Sequence, residues 1–95
     1  MESHHLLLAS GITTGSLREK ILVCVLDRGM KSAKVIAASI GSYPHRDTGV
    51  LVQCGIKDVK AAISKINAIT SHCRWNQKLV ATKSGDDYLI TLEKR

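Results

Sequence analysis

Lysines at helical spacing mark residues 56–66 as the part of the chain best suited to bind another molecule. Basic and apolar residues alternate there so that a helix would carry them on separate faces. Residues 78–90 then alternate at strand spacing around the turn Ser84-Gly85-Asp86-Asp87. A basic helix followed by a basic hairpin suits a surface that lies on a nucleic-acid groove and its flanking phosphates.

Particular side chains of these segments fit particular contacts. Asparagine can bridge N6 and N7 of adenine, and lysine can reach O6 and N7 of guanine. The candidates for base edges are Lys60, Ser64 and Asn67, and those for either a base or a phosphate are Lys57 and Lys65. The candidates for phosphates are Arg74, Lys78 and Lys83, joined by Lys31 and Lys34 at the positive N-terminal end of an earlier predicted helix.

The distribution of charge favours a polyanionic partner more than any single lysine does. The chain has 95 residues and a net charge of +6, with a pI near 9.5. Between Lys57 and Lys83 there are six cations and one anion, so most of the excess charge lies in the helix and hairpin. A small basic domain has either such a partner or a solvated basic face. Each lysine alone is best explained as solvated, and only the cluster favours nucleic acid.

The first helix is marked at both of its ends. Ser16, followed three residues later by Glu19, has the spacing of a capping box, and Gly29 suits the position just after a last helical turn. These signals predict a helix from Leu17 to Arg28. Residues 1–15, which precede it, are predicted to form an N-terminal arm that is either an extended edge strand or disordered.

A second, shorter helix and a long loop follow. Ser32 is suited to the N-cap and Gly41 to the end of a helix over residues 33–40. The side chains expected to face inward are Val35, Ile36, Ala38 and Ile40. Residues 41–54 are predicted to form a loop, in which residues 50–52 are either a short strand or an apolar flap.

The third helix and the hairpin must position the candidate side chains. Gly55 precedes a predicted helix from Ile56 to about Ser71. The residues of its buried stripe are expected to be Val59, Ala62, Ile63, Ile66 and Ile69. Two strands, Lys78–Thr82 and Tyr88–Leu92, are predicted to pair across the turn. Trp75 is expected to close the core beneath them.

Three helices followed by a hairpin resemble the winged helix-turn-helix order, and in detail the effector domain of OmpR/PhoB-type transcription regulators. The run Val59-Lys60-Ala61-Ala62-Ile63-Ser64-Lys65-Ile66-Asn67 is similar to that family's third-helix pattern V-x-V-H-I-S-R-L-R. The run Thr82-Lys83-Ser84-Gly85-Asp86-Asp87-Tyr88-Leu89-Ile90 is similar to its hairpin pattern T-V-R-G-V-G-Y-R-L. The resemblance covers roughly residues 17–92. It implies an α+β winged helix that places its third helix in the major groove of double-stranded DNA.

The chain departs from this family pattern at several positions. Asn67 replaces the second arginine of the helix pattern, and Ser84 replaces the arginine of the hairpin. Residues 86–87, at the hairpin tip, are both aspartate, which phosphates would repel. Recognition is therefore expected from the helix, with Lys78 and Lys83 anchoring the base of the hairpin on phosphates.

Composition disfavours other classes of function. Aromatic residues make up 3% of the chain and Phe is absent, so it lacks the stacking surface of an RRM or OB-fold. An enzyme is not expected, because the sequence has neither a glycine-rich phosphate loop nor a nucleophile elbow. Three distant cysteines without a CxxC pair predict reduced thiols in a cytoplasmic protein with no metal and no cofactor. The apolar run at residues 6–8 is far too short to span a membrane.

The sequence thus predicts a winged-helix domain over residues 16–95 that regulates transcription, of bacterial or phage type, by binding double-stranded DNA. Two alternatives stay open: a winged helix used for protein–protein interaction, and recognition of RNA or of an unusual duplex. Such domains usually work as homodimers. The 41–54 loop and residues 6–8 are candidate surfaces for a second protein, and His45 and Arg46 in that loop are either phosphate contacts or solvated.

Overall fold

The described chain combines helices with two antiparallel hairpins, one before and one after the longest helix, as expected for the α+β class. The computed structural model describes residues 6, 8–12, 15–45, 47–73 and 75–95. The helices are α1 (Leu17–Leu22, continued by a π-helical turn over Val23–Asp27), α2 (Ala33–Ile40) and α3 (Ile56–Thr70). The strands are β1 (Ser42–Pro44), β2 (Leu51–Gln53), β3 (Gln77–Ser84) and β4 (Asp87–Lys94).

Most of the described residues of the N-terminal arm are helical rather than extended. Leu6 and residues 8–10 have helical conformation, so the edge strand considered for residues 1–15 is not present among them. Leu6 and Ile12 are buried in the same core as the three helices. The arm therefore contributes to the packing of the domain that follows it.

Helix α1 begins and ends close to the positions predicted from its caps. Ser16 Oγ accepts a hydrogen bond from the backbone N–H of Glu19 at 3.2 Å. Gly29, just beyond the last turn, has a left-handed φ of 67° that favours glycine. The last turn, Val23–Asp27, is π-helical and places Cys24, one of three free cysteines, in the core.

Helix α2 has the predicted bounds but only part of the predicted inward face. Ser32 Oγ caps it by accepting the backbone N–H of Val35 at 3.2 Å. The residues that pack on the core are Ala33, Ile36, Ala37 and Ile40, which follow helical spacing. The prediction that Val35 and Ala38 also face inward was wrong, because both lie on the opposite side of the helix and are exposed.

Residues 41–54, predicted to be a loop, are largely a hairpin. Strand β1 pairs antiparallel with β2, and Tyr43 lies opposite Val52. The strand that was one of two possibilities for residues 50–52 is thus present as β2. The hydroxyl of Tyr43 donates to Asp58 Oδ1 at 3.1 Å, which attaches the hairpin to the first turn of α3.

Helix α3 buries the predicted stripe and is held at both ends. The stripe consists of Val59, Ala62, Ile63 and Ile66, which are buried, and Ile69, which is half-buried. At the start of the helix, the backbone N–H of Gly55 donates to Asp58 Oδ2 at 2.8 Å. At the other end, Arg95 Nη2 donates to Thr70 Oγ1 at 2.7 Å and to the carbonyl of Asn67 at 3.1 Å. A cation there also complements the negative end of the helix dipole.

The second hairpin is longer than predicted and packs between α2 and α3. In its register Leu79 lies opposite Leu92 and Ala81 opposite Ile90, so that Leu79 and Ile90 reach the core. Gly85 has a φ of 64° at the first central position of the two-residue turn, as in a type II′ turn. The backbone N–H of Ile90 donates to the carbonyl of residue 31 at 2.6 Å, which ties β4 to the segment before α2.

The side chain of Asn67 joins α3 to the free edge of β3. Its Nδ2 donates to the carbonyl of Leu79 at 2.8 Å, and its Oδ1 accepts the Leu79 N–H at 3.0 Å. Both ends of the amide are therefore used inside the fold. Asn67 is not available for the base edge that the sequence predicted it to contact.

Hydrogen bonds and an ion pair tie the tip of the second hairpin to the start of α2; we call these contacts the tip clamp. The carboxylate of Asp87 accepts the hydroxyl of Ser32 and the backbone N–H of Lys34, the latter at 3.0 Å. Lys34 Nζ forms an ion pair with Asp86 at 2.5 Å. The hydrogen bond from Ser32 lowers the pKa of Asp87, and the hydrogen bond from Lys34 lowers that of Asp86.

Replacing Asn67 with alanine is expected to lower the free energy of unfolding by about 1–3 kcal/mol, because the backbone of Leu79 loses both partners. Urea denaturation measures the change. The matched control is Asn76→Ala, which removes an exposed amide and should change stability by less than about 0.5 kcal/mol. An equal change in the free energy of unfolding for the two substitutions would contradict the stabilising role of the hydrogen bonds between Asn67 and Leu79.

The tip clamp is expected to make stability depend on acidity. Because both aspartates have a folded-state pKa below the ordinary value of 3.8, their contribution is complete above that value and is lost as the pH falls through the lowered values. Asp87→Asn should therefore flatten the fall in the free energy of unfolding between about pH 5 and pH 2. The control Asp47→Asn, at an exposed turn, should keep the wild-type dependence. A wild-type slope in Asp87→Asn would contradict the clamp.

Candidate nucleic-acid interface

The side of α3 opposite the core carries four of the predicted side chains. The exposed residues of this side, which we call the α3 face, are Lys57, Lys60, Ala61, Ser64, Lys65 and Ala68. They recur at three- and four-residue spacing and so form one continuous stripe. The two alanines leave room between the lysines for another molecule to approach the helix closely.

No acidic side chain lies on the α3 face. Asp58, the one carboxylate of the helix, is bound by Gly55 and Tyr43 on another side. In the part of the chain that the structure describes, none of the three lysines of the face forms an ion pair with a carboxylate. Their charges are therefore available to neutralise phosphates, the interaction that contributes most to nucleic-acid affinity.

Tyr88, on β4, connects the α3 face to the hairpin and was not among the predicted site residues. Lys60 Nζ lies 4.2 Å from the centroid of its ring, a cation–π geometry. Lys83 lies directly opposite Tyr88 in the hairpin. Hydrogen bonding and charge from Lys60, and more weakly the charge of Lys83, lower the pKa of the phenol. The sequence contained a signal for this pairing, because Lys83 and Tyr88 directly flank the predicted turn of residues 84–87 on its two sides.

The two hairpin lysines lie on opposite faces of the hairpin. Because successive strand residues alternate in direction, Lys83 shares a face with Leu79 and Ala81, which pack toward the core. Lys78 lies on the outer face, directly opposite Glu93. Lys83 is also near the tip of the hairpin rather than its base. Lys83 therefore extends the α3 face, whereas Lys78 does not, and the predicted pair of anchors at the hairpin base is not formed.

The remaining predicted phosphate contacts fall elsewhere. The ammonium of Lys34 is paired with Asp86, whose hydrogen bond raises the pKa of Lys34, so its charge is used within the tip clamp. Lys31 is exposed beside β4, to which its carbonyl is bonded. Arg74 and Arg46 lie outside the described residues. The described site thus consists of the α3 face with Lys83 and Tyr88.

A cavity of about 630 Å³ lies on the side of α3 away from the second hairpin. It is bounded by α3, by the start of α1 and by β1, and we call it the α1–α3 cavity. Its cationic side chains are Arg18 and Lys65, and His45 also lines it. Sequence reasoning considered His45 only as a phosphate contact or a solvated residue, and it did not single out Arg18.

Among the described residues there is no group of His, Cys, Asp and Glu side chains that could hold a metal ion. In that same part of the chain, no helix has the length and apolar character needed to cross a membrane. Comparison with family models, with curated proteins and with solved structures finds no match for this chain. The geometry of the α3 face is therefore the observation from which a function can be argued.

Proposed function

We propose that this chain is a winged-helix domain that binds double-stranded DNA in a sequence-specific manner and so regulates transcription. The observation that carries the proposal is the α3 face, a stripe of lysines and small residues without an acid. The major groove of B-DNA is wide enough for one α-helix, and a helix placed there would bring this stripe to base edges and phosphates together.

The position of the second hairpin supports the winged-helix form of the proposal. Two contacts fix the hairpin beside α3, from Asn67 to Leu79 and from Lys60 to Tyr88. With α3 in the groove, Lys83 would lie toward the phosphates that border it. The aspartates at the hairpin tip support this arrangement too, because the tip clamp turns them toward α2 rather than toward the groove.

The side chains of the α3 face divide between two roles. Ser64 and Lys60 are suited to base edges, and the ring of Tyr88 restricts the conformations of Lys60 before binding. Lys57 and Lys65 are suited to phosphates, which fix the register of the helix in the groove. Asn67 has no part in recognition here, since its amide is bonded to β3.

The alternatives make different demands on the same face. A protein-interaction module would pair these lysines with acids of its partner, so it would require an acidic protein surface rather than a duplex. Double-stranded RNA has a major groove too narrow for side chains to read, so a helix that presents its recognition residues on one stripe favours DNA. Competition among duplex DNA, single strands and structured RNA separates the three, and we expect duplex DNA to bind most tightly.

Removing two lysines of the proposed interface should reduce the salt dependence of duplex binding. For Lys57→Ala with Lys83→Ala, the slope of log affinity against log salt is expected to fall by roughly 0.9 for each phosphate that the protein no longer neutralises. Fluorescence anisotropy with a labelled duplex at several salt concentrations measures this slope.

The matched control for this experiment is Lys20→Ala with Lys78→Ala, which removes the same charge from other surfaces of the domain. It should leave the slope close to that of the unsubstituted chain. An equal decrease of the slope in the two double variants would mean that binding reports net charge rather than the α3 face. An affinity that does not depend on salt would also contradict the proposal.

A further inference from the structure

The α1–α3 cavity has the size and composition of a small-molecule site. Its volume of about 630 Å³ lies within the usual range of such sites. Its apolar walls come from Leu17, Tyr43, Pro44 and two alanines of α3, Ala61 and Ala62. These groups suit the flat, apolar body of an organic molecule rather than a bare inorganic ion.

Arg18 is the residue that points to an anionic ligand. It lines the cavity, and its Nε is buried without a hydrogen-bond partner among the described residues. Burial of a polar nitrogen without a partner opposes folding. A guanidinium binds a carboxylate or a phosphate through two parallel hydrogen bonds, so either group would satisfy this nitrogen.

The one acid that lines the cavity does not satisfy Arg18. Asp58 accepts hydrogen bonds from the hydroxyl of Tyr43 at 3.1 Å and from the N–H of Gly55 at 2.8 Å. Arg18 and Lys65 therefore leave an excess of positive charge in the cavity.

A neutral donor adds to these two cations. His45 Nδ1 accepts the backbone N–H of Asp47 at 3.2 Å. Because a neutral imidazole carries its proton on the other nitrogen, Nε2–H is then a donor. The polar lining thus offers an anion two cationic side chains and one ring N–H.

We propose that the α1–α3 cavity binds a small organic anion that carries a carboxylate or phosphate group on an apolar body of about ring size. The anionic group lies against Arg18 and Lys65, and the body packs between Tyr43 and Ala62. The cavity shares Ala61 and Lys65 with the α3 face. The binding does not rest on the proposed DNA interface, because Arg18, the group that points to an anion, lies on α1 and outside that face.

The test is an NMR titration of the ¹⁵N-labelled chain, without DNA, using phenyl phosphate, benzoate and benzyl alcohol as probes. At least one of the two anions should shift the amides of Leu17, Tyr43 and Ala62 and bind roughly tenfold more tightly than the neutral alcohol. Whichever anion binds more tightly identifies the preferred group. Binding of the alcohol as tight as that of the anions, or shifts confined to Lys57, Lys60 and Ser64, which do not line the cavity, would overturn the proposal.

Two substitutions test the two halves of the site. Arg18→Met should weaken the anion roughly tenfold without lowering Tm, because Nε has no partner to lose. Its control, Arg28→Met at the other end of α1, should leave binding unchanged. Ala61→Phe, at an exposed position of the cavity wall, should block the apolar body. Unchanged affinity in both cavity variants would overturn the proposal.

The phosphate of a nucleic-acid backbone is the competing occupant of the cavity. If neither small anion binds while Arg18→Met reduces the salt slope of duplex binding, the cavity holds a phosphate of DNA, and the small-molecule proposal is wrong. If neither anion binds and the slope is unchanged, the cavity binds neither class of anion, and the proposal is wrong as well. Both results leave the lysines of the α3 face to be judged by their own experiment.

Discussion

Burial of the apolar stripe of α3 is the constraint on which the candidate interface depends. Once that stripe faces the core, helical spacing sends Lys57 and Ser64 to the opposite side. The same rotation brings Asp58 toward β1 and Asn67 toward β3, where each finds a hydrogen-bond partner. One packing requirement thus produces a basic face and also removes from it the only carboxylate of the helix.

The tip clamp also determines where the two acidic side chains of the hairpin tip lie. From the sequence, these aspartates were expected to be repelled by the phosphates of DNA. Asp86 and Asp87 are turned onto Lys34 and Ser32, so they strengthen the attachment of the hairpin instead of opposing phosphates. In return, the charge of Lys34 is paired with Asp86 at the surface and is not available to phosphates. The hairpin residues that lie beside α3 are Lys83 and Tyr88, which face each other across the two strands. The hairpin can therefore add the positive charge of Lys83 to the site.

Local signals predicted the helices well, and long-range contacts account for most of what was missed. Ser16 and Ser32 cap their helices as predicted, because a cap depends on residues close in sequence. The hairpin of β1 and β2 was mistaken for a loop, since each strand has only three residues and no clear alternation. The role of Asn67 depends on a strand far along the chain. The separation of Lys78 and Lys83, in contrast, could have been read from their odd spacing in a strand.

The most direct test of the central claim is to locate the surface of this domain that duplex DNA covers, by hydrogen exchange or by amide shifts of the complex. The proposed interface predicts protection along the α3 face, at Lys57, Ala61 and Ser64, and at Lys83 and Tyr88 of the hairpin, with little change on the outer face around Lys78 and Glu93. Protection confined to the β1–β2 hairpin or to that outer face would contradict it, as would the absence of any protection at a DNA concentration that saturates binding.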